Sequence, residues 1–416
     1  MKKIVCILLM LATVQLGAQD LPHFKKVVKE LSSAKYQGRG YVKGGANKAG
    51  KYLQKEFQKC GADEVTLQPF TIDINTFSGK MEMWADGKKL RAGVDFSMRE
   101  YSPGVHGEFP VYHVDTLNFN PDRLFEDLAK PENAGCLVCC DFWFTYKHSK
   151  VFSRLQKAGE CANAGLLYTW EAPIKFFKAY GHRVVDKPII WVTPEAIEGV
   201  KRVKVNADQT FLKDYELFNV IAKVSGARHD SCFVFTAHYD HLGNLGRKVF
   251  YPGANDNASG TAAIVTLAHY YARHRPEYDM YFVAFSGEDA NLRGSTYFAE
   301  HPVVPLSQIK YLFNIDMIGD DNPALYCEVS EKGMGQYPKF EKINTEQQLF
   351  TQLDRGELAA NSDHYPFAVR GVPCIFLENK EGTAFPHYHT PADNFKTVRF
   401  DSYEPVFQLI SGFIAQ

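Results

Sequence analysis

Four apolar, strand-like runs in this chain each give way to histidine, aspartate or glutamate. Phe233–Ala237 leads into His238, Asp240 and His241, and Asp279–Phe285 into Ser286-Gly287-Glu288-Asp289. Ile309–Ile315 leads into Asp316, and Cys374–Leu377, after a short loop, into His387-Tyr388-His389-Thr390-Pro391-Ala392-Asp393. A tight Gly- and Asn-rich turn adds Asp256, just before the helical run Gly260–His274. One acid after a strand is commonplace, whereas four strand ends each delivering imidazole or carboxylate make a ligand set. Imidazole with carboxylate suits zinc or a similar divalent ion. The matching chemistry is metal-assisted hydrolysis: two ions about 3.5–4 Å apart clamp a hydroxide and polarise a carbonyl. A carboxylate that is not a ligand must then carry the proton. A ligand shared by two ions must itself be a carboxylate, because neutral imidazole offers a metal one lone pair. Asp256 meets that demand.

Such placement needs a sheet whose strands release their ends on one side, since in open α/β sheets ligands bind beyond the carboxyl ends of the strands. The apolar runs read as buried strands, and Phe218–Ala222 is another. Leu21–Ser33 and Gly44–Cys60 read as helices; in the second, Ala49, Tyr52, Leu53, Phe57 and Cys60 fall on one face, a core stripe without chemistry. Between Gly104 and Asn206 the pattern changes, with strand-like GCLVCCDF, AGLLYTW and PIIWVT around a helical Phe152–Ala164. The expected fold class is α/β, with a mixed, mostly parallel central sheet, helices on both faces and a smaller inserted α+β domain. The expected division is residues 19–103 with 207–416 as one domain and 104–206 as the insert.

AHYDH, GANDNASG, SGEDANLRGS, NIDMIG and YHTPAD occur in this order, and together they resemble the signature of the M28 family of di-zinc aminopeptidases. The resemblance covers the C-terminal half and, more loosely, Leu31–Phe70. It implies a zinc exopeptidase fold and two zinc ions, one held by His238 and Asp316, the other by Asp289 and His389, with Asp256 bridging. It also implies Glu288 as general base, Asp240 as the partner orienting His238, and a cis peptide bond between Asp256 and Asn257. Asp289 stands where many such aminopeptidases carry glutamate. Tyr388 matches a tyrosine that in some members hydrogen-bonds the oxyanion; a rim aromatic is the other reading. Gln37-Gly38-Arg39-Gly40 resembles an early turn near the active-site rim. Ser362-Asp363-His364 matches a motif read either as pocket wall or as structural brace. Residues 104–206 resemble a protease-associated insert, read as a lid or as a stabilising appendage. The implied function is hydrolysis of the N-terminal peptide bond of peptides. Alternatives are a zinc carboxypeptidase or dipeptidase, a single-zinc glutaminyl cyclase, or a non-catalytic binding relative. The carboxypeptidase reading needs a basic residue in the pocket, for which Arg293 and Arg370 are available.

Composition narrows the setting. The chain has 416 residues and a formal net charge of −1, which argues against a nucleic-acid partner; the peptide substrates are what the resemblance implies. Met1-Lys2-Lys3, the apolar run Ile4–Leu11 and Leu16-Gly17-Ala18 have the parts of a secretory signal, here residues 1–18. That run is too short to span a bilayer, so the expected product is exported, periplasmic or extracellular, without membrane insertion. Of nine cysteines, Cys6 falls in the leader, and Cys136, Cys139 and Cys140 cluster on a strand as buried apolar side chains. His269 and His274 read as ordinary helix residues, Asp320 and Asp321 as a solvated turn, and His241 is left out of the ligand set.

Overall fold

The computed structural model describes residues 20–171, 174, 181–379 and 385–416. The expected leader lies outside the described residues. One eight-stranded sheet carries, in spatial order, Glu64–Thr76, Thr210–Val224, Tyr278–Phe285, Arg228–His238, Ile309–Ile315, Cys374–Glu378, Leu325–Val329 and Leu353–Gly356. Four of its neighbouring pairs run parallel and three antiparallel. The four strands from Tyr278–Phe285 to Cys374–Glu378 form one parallel block, and this block releases the candidate ligands.

Both faces of the block are covered. Along Arg228–His238, Phe233, Phe235 and Ala237 join a core with Ile264, Leu267 and Ala268 of the helix Gly260–Arg273. Cys232 and Val234 join a second core with Phe298 of the helix Arg293–Glu300. The alternation is the two-residue period of a strand buried on both sides. Phe235 pairs in register with Phe282 and Phe313 on either side, its ring stacked at 4.9 and 5.3 Å. Each such aromatic pair adds about 0.5–1.5 kcal/mol beyond its buried area, so the three strands are locked in a register that aligns their ends.

A second eight-stranded sheet runs Lys88–Leu90, Met81–Ala85, Arg202–Ala207, Val105–His113, Leu137–Asp141, Gly165–Thr169, Ile189–Val192 and Phe96–Met98. It draws strands from 81–98, residues that the sequence reading assigns to the first domain, because strands of three to five residues are too short to show a change of pattern. Cys139 and Cys140 point into different cores across this sheet, and no disulfide joins any of the eight described cysteines.

The N-terminal segment reaches the parallel block through a glycine contact. Gly38, at φ +65°, lies so close to Gly243 that a Cβ on it would sit 2.4 Å from the Gly243 carbonyl oxygen, and one on Gly40 would sit 2.3 Å from Gly243 Cα. Backbone approaches backbone there as only glycine permits. The Gly243 amide donates to Gly38 and the His241 amide to Arg39.

Candidate metal centre

His238 is the last residue of its strand, and its Nε2 faces three carboxylates: Asp256 Oδ1 at 3.2 Å, Asp316 Oδ1 at 3.5 Å and Glu288 Oε2 at 4.0 Å. Asp316 directly follows Ile309–Ile315 on the adjacent strand. On the far side of Asp256, His389 Nε2 lies 3.0 Å from Oδ2 and 3.7 Å from Asp289 Oδ1. The Asp256 carboxylate therefore sits between two imidazoles, one oxygen toward each, and the Asp256–Asn257 bond is cis. His238, Asp256, Asp289, Asp316 and His389 are all buried. Asp316 Oδ1 is buried without a hydrogen-bond partner. Uncompensated carboxylates at such density are costly in a protein interior, and the donor set fits divalent metal. His238, Asp256 and Asp316 alone bring three ligand atoms within 4.8 Å of one another.

Glu288 stands at the same cluster, held by its main chain rather than its carboxylate. Its amide donates to Asp240 Oδ1 at 3.2 Å, and Tyr41 Oη donates to Asp240 Oδ2 at 2.6 Å. Burial pushes the Glu288 carboxyl well above the ordinary range; His238 opposes this and the charge of Asp289 adds to it. The Asp240 carboxylate, expected to orient His238, lies 3.9 Å from its Nδ1, whereas the Asp240 main-chain oxygen lies at 3.3 Å. The contact with His238 runs through the backbone, because the carboxylate is engaged by Tyr41 and Glu288.

Several residues brace this set. The Asn255 and Asp256 amides donate to the two oxygens of Asp393 at 2.8 and 3.0 Å, joining the His389 loop to the Asp256 turn. Burial, opposed by these amides, lifts the Asp393 carboxyl to about 6. Ser362 Oγ donates to Asp316 Oδ2, while His364 Nε2 lies 3.2 Å from Glu328, so these two members of the motif are braces. Arg39 is not at a rim but fully buried. Its guanidinium donates to the main-chain oxygens of Leu31, Tyr239, Pro252, Gly253 and Asp256. His241, omitted from the sequence-based set, is fully buried with Nδ1 3.1 Å from Asp289 Oδ2. Burial raises the Asp289 carboxyl, but the hydrogen bond and charge of His241, together with the charge of His389, hold the group below its ordinary value. His274 bonds Tyr270 of its own helix and Arg370 pairs with Glu300, away from the cluster.

The cluster opens into a cavity of about 180 Å³ lined by His238, Asp256, Glu288, Asp316, Met317, Asn361, Phe376, Glu378, Tyr388 and His389. The Tyr388 ring stacks on His389 at 3.8 Å and 18°.

Fold and site define an α/β protein with a buried imidazole–carboxylate centre at the carboxyl ends of its parallel strands. Residues 219–414, somewhat less than half of the chain, match Peptidase family M28. Aminopeptidase YwaD of Bacillus subtilis is 27% identical over 205 residues, 46% of this chain and 42% of that protein. A probable zinc metalloprotease of Pyrenophora tritici-repentis is 38% identical over 104 residues, 24% of this chain and 22% of that protein. The matches thus span less than half the length of these relatives. The crystal structure of a zinc aminopeptidase, BSAP, from Bacillus subtilis superposes with a TM-score of 0.72 at 18% identity, covering 94% of each chain. Its likeness establishes the mixed α/β fold. Among the described residues no helix is long and apolar enough to cross a membrane.

Proposed function

We propose that this chain is a zinc-dependent aminopeptidase that hydrolyses the N-terminal peptide bond of peptides. The observation that carries this reading is the charge of the cavity wall. Glu288, Asp316, Glu378 and the amide of Asn361 line it, and no lysine or arginine does so among the described residues. A substrate's terminal carboxylate would meet like charge there, whereas a terminal ammonium meets acceptors, which favours the amino end.

His238, Asp256, Asp289, Asp316 and His389 would hold two zinc ions, which would supply a polarised carbonyl and an acidified water. Glu288 takes the proton on a carboxylate oxygen and returns it to the leaving amine. Tyr388, anchored by its stack on His389, directs its hydroxyl to the developing oxyanion. Two imidazole–carboxylate halves on either side of one aspartate favour a two-metal hydrolase over a single-zinc cyclase. Asp240 acts by fixing the Glu288 main chain. Residues 1–18 direct export and are removed.

The test is purified protein reconstituted with zinc and assayed on aminoacyl-anilides, dipeptides and N-acetylated peptides, alongside metal analysis. Two ions per chain and cleavage restricted to free amino ends are expected. Equal cleavage of free and acetylated peptides refutes the aminopeptidase assignment, and one ion or none at saturating zinc refutes the two-metal mechanism.

A further inference from the structure

We infer that His241 is a positioning residue for one half of the metal centre: it occupies one oxygen of Asp289 and so presents the other to the ion. The inference rests on the two-metal reading above.

The register of the sheet creates the contact. His238 pairs with Phe285 across two parallel strands, so the chains leave the sheet side by side. His241 lies three residues beyond the one and Asp289 four beyond the other, and their side chains meet above the strand ends with Nδ1 to Oδ2 at 3.1 Å. A carboxylate can only accept, so the imidazole carries its proton on Nδ1. Asp289 Oδ1 is left facing His389 Nε2 at 3.7 Å, on the side where Asp256 Oδ2 also lies. The two oxygens are thereby given separate tasks.

A buried histidine is often no more than core packing, but three features oppose that here. The ring's side-chain hydrogen bond goes to a candidate metal ligand, and its Nε2 is buried without any hydrogen-bond partner. An apolar side chain would fill the space without that unsatisfied nitrogen. The ring is also clamped: its amide donates to the Arg39 carbonyl, and a Cβ on Gly253 would fall 2.4 Å from its Cδ2. Finally, aspartate reaches one methylene less far than glutamate, and Asp289 sits on a loop with left-handed Asn291 and Leu292 just beyond it. A short carboxylate on such a loop needs a second contact to hold its orientation.

Groups that orient metal ligands typically change metal affinity about 10–100-fold when removed. The experiment follows release of the two zinc ions from the full-length protein by chelator competition. Wild type is compared with His241→Leu, which packs without a donor, and His241→Asn, whose amide can replace Nδ1. Metal-free thermal melts of all three report folding independently of zinc. In His241→Leu one ion is expected to bind about 10–100-fold more weakly and the other as in wild type, with His241→Asn recovering most of the loss. Wild-type affinity for both ions in His241→Leu overturns the inference, as does equal weakening of both ions in the Leu and Asn variants. A wild-type protein that binds fewer than two ions removes the two-metal reading and this inference with it.

Discussion

Ser362 Oγ donates a 2.7 Å hydrogen bond to Asp316 Oδ2 and accepts one of 2.8 Å from Asn314 Nδ2, whose Oδ1 accepts from Thr236 at 2.7 Å. The chain crosses neighbouring strands and ends on a candidate ligand. Ser362→Ala is therefore expected to weaken zinc binding by at least about 10-fold, while the Asn314–Thr236 pair keeps the sheet intact. Chelator competition measures this; unchanged affinity for both ions removes the role.

Glu288→Gln keeps the volume and amide contact of the wild-type residue but cannot take a proton. Zinc content is expected to stay the same and turnover to fall about 10²–10⁴-fold. Loss of an ion instead would make Glu288 a ligand.

Arg39 serves five main-chain oxygens in a fully buried setting. An ammonium has three protons where the guanidinium has five. Arg39→Lys should thus leave buried carbonyls unsatisfied and destabilise the fold by roughly 1–3 kcal/mol for each group that finds no partner. Urea unfolding with and without zinc reads the effect, and a wild-type midpoint in both conditions would refute it.

Glu56 links two helices through His23 at 3.2 Å and pairs within its own helix with Lys59 at 2.7 Å. The hydrogen bond from His23, working against burial and aided by Lys59, lowers its carboxyl to about 2. A depressed folded-state value means the stabilisation is complete above the unfolded value of about 4.3 and is lost as the pH falls below it. Wild type should exceed Glu56→Gln in melting temperature at pH 6, with the gap closing as the pH approaches about 2. A gap that widens in acid contradicts the assignment.

Tyr388→Phe retains the stack on His389 and loses only the hydroxyl. Turnover should fall with KM nearly unchanged, since an oxyanion contact acts in the transition state. An unchanged kcat identifies a rim aromatic.

Residues that the sequence singles out at strand ends converge in the structure because the parallel block fixes where each strand stops. Local patterns put His238, Asp256, Asp289, Asp316 and His389 among the candidates, and the family resemblance narrows the set to them. The braces carry weaker local signals. Arg39 acts through main-chain oxygens as far away as Asp256, 217 residues on, and no side-chain pattern encodes such partners. Asp393 contacts amides, which every residue has. His241 did have a signal, its offset of three from His238 on a strand adjoining the Glu288 strand, but the strand order that uses it emerges only in the fold. The short strands between residues 81 and 98 lack enough periods to declare their sheet.

The pairing of Glu64–Thr76 with Thr210–Val224, in which Ile74 meets Leu212, also governs how the chain reaches this state. During synthesis the first strand leaves the ribosome long before its partner exists. The whole second sheet is made while that strand's hydrogen-bonding edge stands open, a ready template for wrong pairing. The parallel block is encoded later still, so the second sheet has the opportunity to fold first and hold the two ends of the gap together. Destabilising changes in it would then reduce the yield of soluble protein more than the turnover of the molecules that do fold.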